Sequence, residues 1–290
     1  MPHLLALGLG YSVSPLVNHL VARDWDVTGT TRSEEKAERF KAKGITPLLW
    51  AAPDPLPEQA VAAADVIVIS VSPDDQGCPA ARAVPVSALK PGARLLYLSS
   101  TGVYGDAGGD WVDEETPCDP GTERGKKRLV AEGDWQRLAK AANARLTICR
   151  LAGIYGPGRN AVESLKGETN GSRAGLSRRI IKPGQVFNRI HQEDIAGGLN
   201  ALIRTNDPPD IVNFADDEPS PPQDVIEYAA KLIGIDPPPE VPFEEAEMSP
   251  MARSFYADNK RLRNDRLKAL PGFRLKFPTY REGVGDIASE

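Results

Sequence analysis

Short, fully apolar runs alternate with amphipathic stretches through the first half of the chain. "HLLALG", "DVTGT", "DVIVISV" (Asp65–Val71) and "ARLLYLSS" (Ala93–Ser100) read as strands, and "ARLTICRLAGIYG" supplies another. The third and fourth runs do not alternate polar with apolar, which fits a sheet covered on both faces. Between the strands, helices are expected from about Pro15, over "SEEKAERFKAKG" with its acidic first turn, and from about Glu123 to Ala141. This rhythm predicts a doubly wound parallel sheet, an α/β fold of the Rossmann nucleotide-binding kind.

The rhythm breaks after Tyr155. Residues 156–190 are rich in Gly, Arg and polar groups and read as a loop or short-helix excursion on the substrate side. "HQEDIAGGLNALIRT" then predicts a helix and "IVNFAD" a strand, so 191–215 returns to the core. Beyond it come the helix "PPQDVIEYAAKLIG", the stiff spacer "DPPPEVPFEE" and a last helix expected from about Asp258. The organisation expected is a nucleotide-binding core over 1–155 and a small C-terminal substrate lobe made mainly of 216–290. The cleft between them is the default ligand site.

Composition narrows the partners. A net charge of −5 and a pI near 5.4 lack the basic surplus of a nucleic-acid binder. No apolar run approaches the ~20 residues that cross a bilayer. The start "MPHLLALGLG" lacks a cationic n-region and reads as a first strand. Cys78, Cys118 and Cys149 have no metal-ligand spacing and cannot all pair, which suits a reducing cytoplasm. Nor do His3, His19 and His191 suggest a metal cage. A small-molecule ligand is expected, with the chain a monomer or homodimer; the charged helix start "ERGKKR" makes a poor apolar dimer face.

"GLGYSV" places Gly8 and Gly10 between the first strand and its helix, where a pyrophosphate would meet the helix N-terminus. Tyr11, Ser12 and Val13 complete the turn, with Val13 where a third glycine is usual. The second strand ends "GTTR": Thr31 and Arg32 stand where an NAD site usually has a carboxylate, so NADP fits better than NAD. Ser70 and Val71 end the next long strand and should lie beside the cofactor. The alternative is a glycine turn that binds nothing and a solvated arginine.

Taken together, "GLGY", "LSSTGVYG", "DEETP", "RGKKRLVAE", "LAGIYGPGR" and "RIHQEDIAGGL" resemble the extended short-chain dehydrogenase/reductase superfamily, which includes the nucleotide-sugar epimerases and dehydratases. The resemblance runs over nearly the whole chain. It implies NAD(P) binding and hydride transfer assisted by a Ser or Thr, a Tyr and a Lys. Ser100, with Thr101 beside it, takes the hydroxyl position. The tyrosine and lysine positions hold Arg124 and Arg128. An arginine does not trade protons near neutral pH, so Arg124 suits an anionic substrate better than base catalysis, while Arg128 can hold cofactor oxygens.

Tyr104 and Tyr155 are the remaining candidate proton donors, each with an alternative reading as a pocket-wall aromatic. Arg189 and His191 are expected to border the substrate, and Phe187 stands where many sugar-nucleotide enzymes carry an arginine. The function expected is an atypical NADP-dependent oxidoreductase or epimerase-like enzyme acting on a hydroxyl or carbonyl of a small polar metabolite. The alternative is a cofactor-binding sensor or partner-binding protein that has lost the proton-transfer pair.

Overall fold

Seven parallel strands hydrogen-bond in the order Ile211–Phe214, Arg145–Leu151, Arg94–Ser100, Val66–Ile69, His3–Leu7, Asp26–Thr31, Thr46–Leu49. The structure is a computed structural model that describes residues 1–52, 54–167 and 176–289. From His3–Leu7 the chain fills one side of the sheet and then crosses to the other. Leu4 therefore pairs with Val27 on one flank and Val66 on the other. Such a reversal opens a crevice at the carboxyl ends of the strands.

Alternate residues of the apolar runs feed two cores, which is why the runs carry no polar face. Leu4, Ala6, Val66, Val68, Leu96 and Leu98 pack with the helices Ser14–Val21 and Gln192–Arg204 on one side. Leu5, Leu7, Ile67, Ile69, Leu95 and Tyr97 meet Trp135 of the long helix Glu123–Ala142 on the other. Thr122 caps that helix by accepting from the Gly125 N–H, and Asn143 ends it in the left-handed conformation.

Six of the seven strands fall within residues 1–155, and Ile211–Phe214 returns to close the sheet. The smaller lobe combines the excursion with the C-terminal part. Helices Ala161–Lys166, Pro222–Leu232 and Tyr280–Ser289 share a core of Tyr155, Val162, Val225, Ala229, Tyr280 and Val284.

One element is not expected from the sequence, and one expectation is corrected. Thr46–Leu49 is an edge strand that the pattern does not reveal, because its residues are half-exposed and include Pro47. No helix begins at Asp258. Arg261–Leu262 instead pairs in parallel with Trp111–Val112, a one-turn helix follows at Asp265–Lys268, and the last helix starts at Tyr280. Asn188 grips this segment, donating to the Lys260 carbonyl (2.9 Å) and accepting from the Leu262 N–H (2.8 Å). The buried Lys260 ammonium donates to the Gly105 carbonyl at 2.5 Å, tying the segment to the loop after Ser100.

Among the described residues, no helix is long and apolar enough to cross a membrane and no cluster of metal-ligating side chains occurs. Cys78, Cys118 and Cys149 are all free.

Candidate functional site

A cleft of about 1130 Å³ opens at the carboxyl ends of the strands. Gly8, Gly10, Thr31, Arg32, Ser70 and Val71 all line it, as their sequence positions suggest. Gly8 has φ +84°, and a Cβ there would lie 3.2 Å from Val71, so both conformation and space require glycine. At Gly10 an added Cβ would meet only the Gly8 carbonyl, at 3.8 Å. No protein atom demands glycine at Gly10, which leaves its surface clear for a ligand. The Thr30 hydroxyl fixes the turn, accepting from the Gly8 N–H (2.8 Å).

Ser14 Oγ donates to the Gly10 carbonyl. Val13 is buried against the core, which accounts for an apolar side chain in the place of the third glycine. Ser12, between them, stays partly exposed on the turn. Tyr11 is not among the residues lining the cleft. The Arg159 guanidinium carbon stands 4.8 Å from its ring centre, and burial pushes its hydroxyl up to about 12.

The cleft also contains cations that the sequence patterns do not single out. Lys36, in the first turn of the helix that follows Arg32, lines it, and so does Arg82, paired with Asp74. Neither Arg32 nor Lys36 has a carboxylate partner among the described residues. Lys127 of the long helix pairs with Asp75, which lines the cleft. In sequence, Lys36 carries no role, and Lys127, one residue before Arg128, reads as either solvated or reaching over a cofactor phosphate. Only the folded chain brings Lys36 to the cleft and Lys127 to Asp75.

Ser100 ends the central strand, and its hydroxyl oxygen accepts from the Gly102 N–H at 3.2 Å. Its own proton has no acceptor among the described residues. Thr101 is buried in the following turn. The long helix starts against this turn: a Cβ on Gly125 would lie 2.6 Å from the Gly102 carbonyl, so only glycine permits the approach. Arg124 immediately precedes Gly125 at this helix start. It is exposed, and its guanidinium stacks 4.3 Å from the Phe255 ring. Arg128 turns back to the strand, donating from Nη1 to the Tyr97 hydroxyl and the Leu98 carbonyl, both at 3.1 Å. It is not among the residues lining the cleft.

Both candidate tyrosines are engaged inside the protein. The Tyr104 hydroxyl donates to Asn213 Oδ1 at 2.7 Å, and burial pushes it up to about 12. Tyr155 packs edge-on to His191, and the helix Tyr280–Ser289 presses on it so closely that a Cβ on Gly283 would meet its hydroxyl. Burial, with Asp216 and Asp194 near, pushes the Tyr155 hydroxyl well up. These surroundings favour the pocket-wall reading of both rings. Glu114 accepts from the Asn213 N–H, a structural task for the acidic loop.

His191 caps the helix Gln192–Arg204: Nδ1 accepts from the Glu193 N–H (3.2 Å), and the ring lies 4.1 Å from Phe277. Burial pulls it down to about 4, so the ring is neutral. Arg189 is held among Phe187, Ser220 and Tyr280 at the seam of the two lobes. Of the excursion's arginines, Arg179 pairs with Glu227 and Glu240, and Arg173 lies outside the described residues.

Residues 76–215 match the model of the NAD dependent epimerase/dehydratase family, and residues 4–102 match that of the NAD binding domain of 6-phosphogluconate dehydrogenase. A solved structure of a functionally unknown conserved protein from Silicibacter pomeroyi DSS is 44% identical. It superposes with a TM-score of 0.86 over 100% of this chain and 99% of that one. Protein YeeZ of Escherichia coli K12 is 31% identical over 254 residues, 82% of this chain and 86% of its own. The 3-diazoavenalumate denitrifying reductase of a Streptomyces species is 25% identical over 212 residues, 67% of this chain and 65% of its own.

Proposed function

The chain belongs to the NAD dependent epimerase/dehydratase family, and from that premise we propose that it is an NADP-dependent oxidoreductase acting on a carbonyl or hydroxyl of a small polar metabolite. The observation that carries this reading is the continuity of the cleft, which runs from Arg32 and Lys36 past Gly8 and Gly10 to Ser70 and Val71. Two cations and the Thr31 hydroxyl, with no carboxylate at the strand tip, suit a ribose 2′-phosphate. An adenosine ribose with free hydroxyls would be matched by an acceptor instead. The glycine turn suits the diphosphate. A similar protein named as a reductase agrees with the reading.

The bound dinucleotide supplies hydride chemistry. The chain's own part is to hold and polarise the reacting oxygen. Ser100 has a free proton to donate to that oxygen, and Arg124, at the start of the helix that packs on the Ser100 turn, supplies a positive charge suited to stabilising a developing alkoxide. With Arg124 unable to act as an acid near neutral pH, the proton comes from water through Ser100.

A second reading, a cofactor-binding protein without turnover, draws support from the buried hydroxyls of Tyr104 and Tyr155. The deciding experiment is a fluorescence titration with NADPH and NADH, followed by NADPH oxidation over a panel of aldehydes, ketones and keto acids. Tight NADPH binding with turnover supports the first reading. Binding without turnover across the panel supports the second, and no binding removes both.

A further inference from the structure

Arg189 is a deeply placed cation with most of its hydrogen-bonding capacity unused. All its recorded bonds leave from Nη1, to the Phe187 carbonyl (2.9 Å), the Ser220 carbonyl (3.3 Å) and the Ser220 hydroxyl (2.7 Å). Nε and Nη2 meet no acceptor, and no carboxylate pairs with the guanidinium, among the described residues. The residue as a whole keeps partial exposure. A cation placed this deep is costly unless an anion meets it.

The surroundings narrow the anion. The Tyr280 ring centre lies 6.0 Å from the guanidinium, Tyr256 lies within its field, and Phe187 stacks 5.1 Å from Tyr256. Phe255, next to Tyr256 in the chain, is the ring under Arg124, so one dipeptide joins Arg189 to the start of the long helix. Asp216 and Asp224 also lie in the field of Arg189, and Asp216 Oδ2 is buried without a partner. The site offers a single guanidinium beside the two carboxyl groups, too little positive charge for a phosphate dianion or a diphosphate. A single planar carboxylate matches the side-on fork of Nε and Nη2. Burial pushes Asp216 well above the usual carboxylate range, which favours its neutral form and leaves the Arg189 charge unmatched by it.

We propose that Arg189 anchors the carboxylate of the substrate, and that the substrate is a small flat acid whose aromatic or conjugated body packs among Phe187, Tyr256 and Tyr280. This rests on the oxidoreductase reading for the reaction, though not for the binding. The test is calorimetry on the full chain, with and without NADPH. Benzoate and trans-cinnamate serve as acids, benzamide and cinnamamide as their neutral counterparts, and UDP-glucose as the nucleotide-sugar probe.

At least one acid should bind, with its amide weaker by about tenfold or more, the loss expected when a charged hydrogen bond is removed. Arg189→Gln should bring the acid down to the amide's affinity and Arg189→Lys should fall between, with NADPH affinity unchanged in both. If Arg189→Gln fails to fold, the acid–amide ratio and Arg189→Lys still decide. Equal binding of acid and amide, an acid affinity indifferent to Arg189→Lys, no binding of either acid, or preferential binding of UDP-glucose would each overturn the proposal. Arg189-dependent acid binding by a protein that ignores NADPH would uphold the anchor and sink the oxidoreductase reading.

Discussion

Glu132 and Arg150 form an ion pair almost shut off from solvent, Nη2 to Oε2 at 2.8 Å and Nε to Oε1 at 3.2 Å, with side chains 3% and 5% exposed. The pair joins the long helix to the Arg145–Leu151 strand directly beneath the Ser100 turn. Ser99 donates to Glu132, and the Arg150 guanidinium lies 4.8 Å from the Tyr104 ring. Removing one partner strands a buried charge. Glu132→Gln or Arg150→Met should therefore cost about 3–5 kcal/mol in urea unfolding, and the double change Glu132→Leu/Arg150→Met less than either. A double change costing the sum of the two would refute this.

Gly8→Ala should lose both stability and cofactor. The left-handed φ of +84° costs a side chain about 1–2 kcal/mol, and the new methyl would press on Val71. Thermal unfolding should shift down, and the NADPH titration should flatten. Gly10→Ala separates the two effects: with only a 3.8 Å neighbour it should fold like the parent yet bind NADPH more weakly.

Arg32→Ala should weaken NADPH by about ten- to a hundredfold, the value of one charge-assisted hydrogen bond, and leave NADH nearly unchanged. Lys36→Ala should act in the same direction. Equal losses for the two cofactors would assign Arg32 to the diphosphate or to no ligand at all.

Tyr104→Phe distinguishes a wall from an acid. It leaves Asn213 Oδ1 without its 2.7 Å donor, at a cost of about 1–3 kcal/mol in chemical denaturation. NADPH affinity and turnover should survive. A variant of parental stability with abolished turnover would return Tyr104 to the role of proton donor.

His191 and Asp194, three residues apart, should tilt stability with pH in opposite directions. Burial lowers His191 to about 4. The unfolded chain then binds the extra proton, and the contribution is complete above pH ~6.5 and is lost as pH falls toward 4. Asp194 accepts from the Lys276 and Phe277 N–H groups, but burial outweighs these bonds and raises it to about 6. Its contribution is present below pH ~4 and is lost as pH rises through 6, at up to about 1.4 kcal/mol per unit. Relative to the parent, His191→Gln should lose more stability at pH 6.5 than at pH 4. Asp194→Asn should gain relative stability over the same rise. Urea unfolding at the two pH values checks both signs.

The sheet is legible in the sequence because Val66–Ile69 and Arg94–Ser100 are buried on both faces, and burial of that kind leaves an uninterrupted apolar run. The glycine turn is legible because a left-handed φ admits few residues. The edge strand Thr46–Leu49 is hidden because one flank is open. Tyr104 and Tyr155 pass as proton donors in sequence because their partners, Asn213 and Gly283, lie more than a hundred residues away. Lys36 carries no local signal for a similar reason: the cleft it lines is built from strand ends far apart in the sequence.

The grip of Lys260 on the Gly105 carbonyl sets an order of events during synthesis. The sheet strands up to Leu151 leave the ribosome long before residues 258–262 exist, so the nucleotide half can fold while the loop after Ser100 lacks its clasp. Closing a contact 155 residues apart is slow in entropic terms, and it comes after local structure. The Ser100 corner is therefore among the last parts of the molecule to set, after the sheet on which it stands.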